Sequence, residues 1–201
     1  MTKRSVKNIK MAPRTAEQYE EIKREKASLI IETALLRFSE DGYKSTSMQS
    51  IAKESNVSKG NLYNYFESKE ALLESVLQYG LDQFSEFYEQ FSSEISSENK
   101  FEHAIRSNFD MIKSNKLFWK LYFNLVTQPS AKILFTQIIG PVLEKYMKVF
   151  ENYFQKKGDK NPAATALLLG SSLDGISLGY IMMGEMYPLD EVINKLIEKF
   201  K

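Results

Sequence analysis

The sequence predicts an all-α fold of about nine helices, and three observations point to it. Apolar residues recur at helical spacing along nearly the whole chain, and the alternation typical of strands is nearly absent. No proline lies between Pro13 and Pro129, so long helices are allowed there. Apolar residues make up 43% of the 201 residues, which is enough for a real core.

The charges are distributed unevenly along the chain. The first 14 residues carry five Lys or Arg and no acid, and we expect them to form a flexible basic arm. Residues 1–70 hold 13 basic and 10 acidic residues, whereas residues 71–201 hold 14 and 16. The first third is therefore the better partner for a polyanion, although a basic tail can also be no more than solvated chain.

A first helix is predicted from about Thr15 to Asp41, and Gly42 is well placed to end it. Its inner face is expected to carry Ile22, Ile30, Ala34 and Phe38. Two short helices follow, the first capped by Ser47 and ending near Ser55, the second capped by Ser58 and ending at Phe66. Asn56 and Val57 form the tight turn between them. Ser68 caps a long fourth helix.

Two short helices joined by such a turn have the spacing of a helix-turn-helix, from Ser47 to Phe66. In that arrangement Ile51, Ala52, Val57, Leu62 and Phe66 are buried. The free edge of the second helix is then polar and small, and consists of Ser58, Lys59, Gly60, Asn61, Tyr63 and Asn64. Such an edge suits the major groove and phosphate, but a helical corner with solvated polar residues has the same spacing.

Five more helices are predicted after the fourth, over residues 99–114, 116–127, 130–157, 162–186 and 189–200. Gly140-Pro141 is expected to bend or split the third of these. The resulting organisation is a basic arm at 1–14, a helix-turn-helix domain at 15–70, and a helical domain at 71–201.

The stretch from Ile30 to Leu77 strongly resembles the N-terminal domain of the tetracycline-repressor (TetR) family. The matching residues are Ile30, Ala34, Phe38, Gly42-Tyr43, Thr46-Ser47, Ile51-Ala52, Val57 to Tyr63, Phe66, and Ser68 to Leu73. They cover about 50 residues, and the rest of the chain is similar only in the number and length of its helices. The resemblance implies a transcriptional regulator, most simply a repressor.

The resemblance also implies a role for individual residues at the DNA. Thr46, Ser47 and Lys69 would contact phosphate, and Gln49 would reach a base edge. Lys59, Gly60 and Asn61 would sit in the major groove, with Ser58 and Asn64 beside them, while Tyr63 and Tyr65 would press on the backbone. Tyr65 stands where the family often has histidine, which still permits a phosphate contact.

For the second domain, the resemblance implies a pocket for a small, mostly apolar effector. The candidate pocket residues are Phe109, Trp119, Tyr122, Phe123 and Tyr146, although each of them is equally consistent with ordinary core. It also implies a homodimer through Ala163–Met186 and Leu189–Phe200, so that two reading heads meet a pseudo-palindromic operator. Effector binding would shift the fourth helix and lower operator affinity. Asp174 interrupts the apolar eighth helix without an assigned partner.

Other functions are less consistent with the residues present. The chain has no cysteine and only His103, so we expect no metal site, no cofactor and no catalysis. No signal peptide core and no run of about 18 apolar residues is visible, so a cytoplasmic protein without a membrane partner is expected. A ligand-independent architectural or division-control protein and a transcriptional activator remain as alternatives.

Overall fold

The computed structural model describes residues 15–95 and 100–201, and the predicted basic arm at 1–14 lies outside them. Within the described residues the fold is all-α, as predicted, with nine α-helices, one short 3-10 helix and no strand. The helices are α1 (Ala16–Glu40), α2 (Met48–Glu54), α3 (Lys59–Tyr65), α4 (Lys69–Ile95), α5 (Phe101–Ser114), α6 (Lys116–Val126), α7 (Pro129–Lys156), α8 (Pro162–Met183) and α9 (Leu189–Phe200).

The ends of α1 follow from local chemistry. The Thr15 hydroxyl accepts from the Gln18 amide, and the Gln18 side chain accepts from the Thr15 amide, which closes a capping box. After the helix, Gly42 adopts φ +84°, a conformation that glycine reaches without steric cost. One predicted core residue is wrong: Ile22 is 39% exposed, because the first turns of α1 extend beyond the elements that bury Ile30.

Gly140-Pro141 was expected to bend or split α7, and the split is wrong. Pro141 lies inside one continuous helix, at an exposed position. Proline removes the backbone bond to the carbonyl four residues earlier, which here belongs to the exposed Gln137, so water can satisfy that carbonyl. In contrast, α8 stops three residues earlier than predicted, because Gly184 takes φ +58° and starts a 3-10 turn at Gly184–Met186.

Two clusters of buried side chains hold the helices together. The first joins α1, α2 and α3 to the start of α4, and continues into α6 through Phe118, Leu121, Tyr122 and Leu125. The second joins the end of α4 to α5, α7, α8 and α9. The three N-terminal helices therefore share their core with α6, which belongs to the predicted second domain.

Candidate nucleic-acid interface and ligand cavity

The helix-turn-helix is shaped by short-range hydrogen bonds. The Ser47 hydroxyl accepts from the Ser50 amide and caps α2, and the Ser58 hydroxyl accepts from the Asn61 amide and caps α3. Between the helices, Asn56 adopts φ +52°, which asparagine tolerates better than most residues. Val57 then donates its amide to the Ala52 carbonyl at 2.9 Å and packs against the first core.

The polar edge predicted from the sequence is open to solvent. Eight of the eleven candidate DNA contacts are exposed: Ser47, Gln49, Ser58, Lys59, Gly60, Asn61, Tyr63 and Asn64. Tyr63 is 43% exposed, and Tyr65 is half-buried against the first core. No atom lies within 4 Å of a Cβ built at Gly60, so α3 presents a smooth, uncovered surface there.

Thr46 differs from the prediction that its side chain contacts phosphate. It is 4% exposed, and its hydroxyl donates inward to the carbonyls of Gly42 at 2.9 Å and Arg37 at 3.2 Å. Thr46 therefore ties the end of α1 to the start of α2. A threonine hydroxyl committed to two carbonyls in the interior is not available to a phosphate.

Lys69 is held at the first position of α4. Its Nζ lies 4.5 Å from the centre of the Tyr43 ring and donates to the Lys44 carbonyl at 3.2 Å. The Tyr43 hydroxyl in turn donates to Glu70 Oε1 at 3.1 Å. Partial burial lowers the pKa of Lys69, and Glu70 opposes that shift. The ammonium is thus oriented before any DNA arrives.

Arg37 forms ion pairs that hold two helices together, and the sequence suggested no function for it. Its Nε donates to Glu54 Oε2 at 2.6 Å, and its Nη1 lies 3.4 Å from Asp41 Oδ2. The first contact joins α1 to the end of α2, so it fixes the helix that supports α3. A lone arginine on a predicted helix gives no sign of a partner seventeen residues away.

A cavity of about 810 Å³ lies among α4, α5, α6, α7 and α8. Its wall is mostly apolar and contains eight aromatic residues: Phe84, Phe87, Tyr88, Phe118, Trp119, Tyr122, Tyr146 and Phe150. The volume is in the range of pockets that hold small organic ligands. The lining includes exposed residues of α4, α7 and α8, so the cavity opens to the surface.

Three of the five predicted pocket residues line this cavity, namely Trp119, Tyr122 and Tyr146. Phe109 and Phe123 are not in its wall, which corrects the prediction for both. Phe109 is 1% exposed in the second core, and Phe123 packs against the first core beside Tyr122. Helical spacing identifies an inward face but does not separate filled core from cavity wall.

Polar groups in the wall were mostly missed from the sequence. Asn108 is buried, and its side-chain oxygen lies 3.4 Å from the Tyr146 hydroxyl, which donates to it. Asn108 follows Ile105 and precedes Ile112 on the buried face of α5, and this polar residue on an apolar stripe was the available signal. Asp174 also lines the cavity, as does Trp119, whose buried Nε1–H has no acceptor among the described residues.

The backbone of α4 is closely packed against this cavity wall. A Cβ built at Gly80 would lie 1.8 Å from Phe118 Cε2. Phe118 belongs to the cavity wall and also to the first core. The glycine therefore allows an aromatic ring of the cavity to touch the helix that begins at Lys69.

The outer face of α8 is apolar and uncovered. Leu167 is 60% exposed and Met182 76%, and Met186 in the 3-10 turn that follows is 80% exposed. The stretch Pro162–Met186 is long and apolar enough to cross a membrane by length and composition, which corrects the prediction that no such run exists. Only 28% of that window is buried inside the chain. Glycine and serine residues interrupt the apolar residues of this stretch, so no continuous apolar run is visible in the sequence.

The last helix behaves differently from α8. The apolar residues of α9 are buried against α5 and α8 of the same chain, and its exposed residues are polar, among them Glu191, Lys195 and Glu198.

His103 Nδ1 lies 2.6 Å from Glu94 Oε2, which joins α5 to the end of α4. The described residues hold no group of three possible metal ligands.

The N-terminal helices match a known family of regulatory proteins. Residues 30–76 match the family model of bacterial regulatory proteins of the tetR family. The uncharacterized HTH-type transcriptional regulator YuxN of Bacillus subtilis is 61% identical over 59 residues, which cover 29% of this chain and 20% of that protein.

Two further similarities extend over most of the chain. The fatty acid metabolism regulator protein of Bacillus subtilis is 24% identical over 188 residues, covering 88% of this chain and 94% of that protein. The solved structure of the fatty acid degradation regulator FadR from Bacillus halodurans has a TM-score of 0.68 at 20% identity, covering 87% and 94% of the two chains. The all-α fold is therefore shared over most of the chain.

Proposed function

Because the chain is a transcriptional regulator of the TetR family and not an enzyme, we propose that it is a dimeric repressor released from its operator by an apolar effector. The observation that carries the proposal is the combination of an uncovered polar edge on α3 with a cavity of about 810 Å³ bordering α4. In this proposal residues 15–70 read DNA, residues 71–201 bind effector and partner, and the protein works in the cytoplasm, where its DNA is.

The DNA contact is proposed to use the exposed residues of α3 and its surroundings. Lys59, Gly60 and Asn61 occupy the first turn of α3, where the helix N-terminus favours anionic phosphate and short side chains allow close approach. Lys69 adds an oriented cation at the start of α4. Gln49, Tyr63, Asn64 and Tyr65 flank this edge and remain candidate contacts, whereas Thr46 is withdrawn.

Dimerisation is proposed to bury the outer face of α8. The exposed leucines and methionines of this helix share that face with Ser171, Asp174 and Gly175, and the serine and glycine allow a second helix to approach closely. A two-fold axis would pair this face with itself and present two copies of α3 to a pseudo-palindromic operator. The exposed face of α9 is polar. We therefore assign α9 a smaller share of the interface than the sequence predicted, at the rim of the interface.

Release is proposed to act through α4. This helix supplies Leu81 and Phe84 to the cavity wall and carries Lys69 at its other end. An effector that fills the cavity in only one arrangement of α4 and α6 shifts the population toward that arrangement. If that arrangement separates the two copies of α3 differently, operator affinity falls by the same coupling free energy.

Footprinting on the DNA upstream of the chain's own gene tests DNA binding and symmetry together. We expect two protected half-sites related by a dyad, about one helical turn or a multiple apart. Asn61→Ala should change the preferred sequence, and Lys199→Ala on α9 should leave the footprint intact. A chain that protects no DNA, or a single asymmetric site, would contradict the proposal.

A second experiment tests the dimer. The paired change Leu178→Glu and Met182→Glu places two charges on one turn of the outer face of α8, where the side chains are 38% and 76% exposed. We expect a folded monomer by sedimentation and loss of operator binding. Leu29→Glu, at a leucine of α1 that is 42% exposed and outside α8 and α9, is the matched control and should remain dimeric. A dimer that survives the α8 change would place the interface elsewhere.

A further inference from the structure

The charged residues of the cavity wall are predominantly acidic. Among the described residues of the lining, the acids are Asp82, Glu89 and Asp174, and the only base is Lys145. Lys145 is exposed on α7, at the edge of the cavity. An anionic ligand would therefore be repelled by three carboxylates and attracted by one lysine. A cationic ligand would be attracted by the three carboxylates and repelled by the lysine.

Asp174, like the exposed Glu89, is not paired by the chain itself. No hydrogen bond or ion pair to it exists among the described residues. Asp174 is exposed to solvent and lines the cavity where the cavity opens to the surface, so the protein around it buries it only in part. This partial burial raises the pKa of Asp174 to about 6, so near neutral pH the carboxylate is mostly ionised without a counter-charge.

Aromatic rings stand beside this carboxylate. Burial of the phenol raises the pKa of Tyr122, and the charge of Asp174 adds to that shift. Both residues line the cavity. Tyr122 packs edge-on against Trp119 with ring centres 5.1 Å apart, and Trp119 stacks on Phe84 at 5.9 Å. Ring faces attract cations, and the attraction grows when water is excluded.

Trp119 supplies a second indication that a ligand belongs in the cavity. Its indole Nε1–H is buried and has no acceptor among the described residues, although a buried donor ordinarily finds one. Trp119 lies in the cavity wall. The Nε1 atom is covered by protein in the empty cavity, so a ligand that supplies the acceptor must first move a neighbouring group.

We propose that the cavity takes an amphipathic organic cation, whose ammonium group pairs with Asp174 and whose apolar body lies among the rings of Phe84, Trp119 and Tyr122. This inference rests on the proposed function and names the class of its effector. It separates this chain from the two regulators whose names refer to fatty acids, because a carboxylate ligand would lie among acids of its own charge. It also accounts for an acid inside the most apolar helix of the chain.

The single tryptophan of the sequence gives a direct measurement, because Trp119 lies in the cavity wall. Its fluorescence is titrated with three probes of equal chain length below their micelle concentrations: dodecyltrimethylammonium, dodecanol and dodecanoate. We expect saturable binding of the cation, about ten-fold or more tighter than dodecanoate. Dodecanoate or dodecanol binding as tightly as the cation would overturn the inference.

The variant Asp174→Asn assigns the discrimination to one residue. It should weaken cation binding about ten-fold, while dodecanol binding changes little. Glu144→Gln removes an exposed charge from α7 next to the cavity-lining Leu143 and Lys145 but outside the wall, and it should leave cation binding unchanged. Equal effects of the two substitutions would mean that only the general field matters, and the site assignment would fail. Retained dodecanol binding by Asp174→Asn shows that the variant is folded.

Gel-shift measurements with operator DNA distinguish the two proposals. If the chain binds operator but the cation neither binds at Trp119 nor releases the DNA, the inference fails and the repressor proposal stands. If the chain binds no operator, the repressor proposal fails, and the fluorescence titration still decides whether the cavity selects cations. Release of operator by the cation and not by dodecanoate is the result that supports both.

Discussion

The helix-turn-helix and the cavity wall differ in how completely the chain satisfies their polar groups. In the described residues from 15 to 68, every buried side-chain N or O atom has a hydrogen-bond partner. Thr46, for example, donates to the Arg37 carbonyl of α1, and Ser55 donates to the Ile51 carbonyl of α2. Around the cavity, the Trp119 indole has no acceptor and Asp174 has no counter-charge.

This difference separates two kinds of function. The N-terminal helices hold a fixed surface, and an unsatisfied group inside them would only reduce stability. The cavity wall retains groups whose partners must come from outside the chain, at some expense of stability in the empty state. A binding site of this kind is recognised by what the chain leaves unpaired, and a structural core by what it pairs.

The largest effect is expected from the core of the N-terminal helices. Phe38 is fully buried in α1, with its ring 5.2 Å from that of Tyr43. Phe38→Ala should lower the free energy of unfolding by about 3–5 kcal/mol, measured in urea, because it leaves a large void in a small core. Leu29→Ala, on the same helix at 42% exposure, is the control and should change it by less than about 0.5 kcal/mol.

The same experiment tests whether the two regions unfold separately. The first core runs from Phe38 through to Phe118 on α6, so we expect circular dichroism and Trp119 fluorescence to report one transition. Two transitions, with the fluorescence change following the loss of the N-terminal helices, would mean that the regions are energetically independent. A loss under about 1 kcal/mol for Phe38→Ala would contradict the burial argument itself.

A smaller effect is expected where the two regions touch. Gly80→Ala forces Phe118 away from α4, because the new Cβ would lie 1.8 Å from the ring. Overpacking of this kind costs about 1–3 kcal/mol, which the better helix propensity of alanine offsets only in part. We also expect weaker coupling between cavity ligand and operator, measured as the ratio of operator affinities with and without ligand.

Gly140→Ala is the matched control for that substitution. It also lies inside a long helix, but its new Cβ meets only Thr136 Cγ2, at 3.8 Å. Its stability should stay the same or rise by up to about 1 kcal/mol, and the coupling ratio should not change. If Gly80→Ala behaved like Gly140→Ala, contact between Phe118 and α4 would not be how the cavity reaches the DNA-facing end.

The sequence could predict the N-terminal helices because their signals are local. Ser47, Ser58 and Gly42 act within four residues of themselves, and each ends or begins a helix where expected. Thr46 was placed wrongly because its partners are determined by how α1 meets α2. A hydroxyl can face phosphate or carbonyl equally well until the chain around it is folded.

The cavity could be predicted only in outline, because its wall is built from five helices. Periodicity places both Phe109 and Trp119 on inward faces, but the space between helices depends on residues such as Gly80 that let one backbone approach another side chain. The unbroken α7 has the same origin, because the exposure of Pro141 is a tertiary property. The sequence shows Asp174 as an acid within an apolar helix. Its position in the cavity wall could not be predicted, because it depends on how the helices pack.

A change of about 1 kcal/mol in operator binding is expected at Lys69. Lys69→Ala removes one oriented phosphate contact, so affinity should fall for all DNA sequences alike, and the slope of log K against log salt should shrink by about one. Lys195→Ala, an exposed lysine of α9 beside Glu198, is the control. A change in sequence preference, or an unchanged salt slope, would show that Lys69 only supports Tyr43.

The smallest expected effect is a gain in stability, and it bears most directly on the comparison. Burial raises the pKa of Asp174 from 3.8 to about 6 in the folded chain, so the folded state binds its proton more readily than the unfolded state. The ionised carboxylate therefore destabilises the fold above about pH 6, and this penalty fades as the pH falls toward 4. Because the side chain is partly exposed, solvent limits the penalty to about 1 kcal/mol. Asp174→Asn should stabilise the empty protein by that amount at pH 7.5 and not at pH 4, while Glu144→Gln should do neither. A loss of stability at pH 7.5 would mean that the chain itself uses the Asp174 charge, and the cavity would then hold no group reserved for a ligand cation.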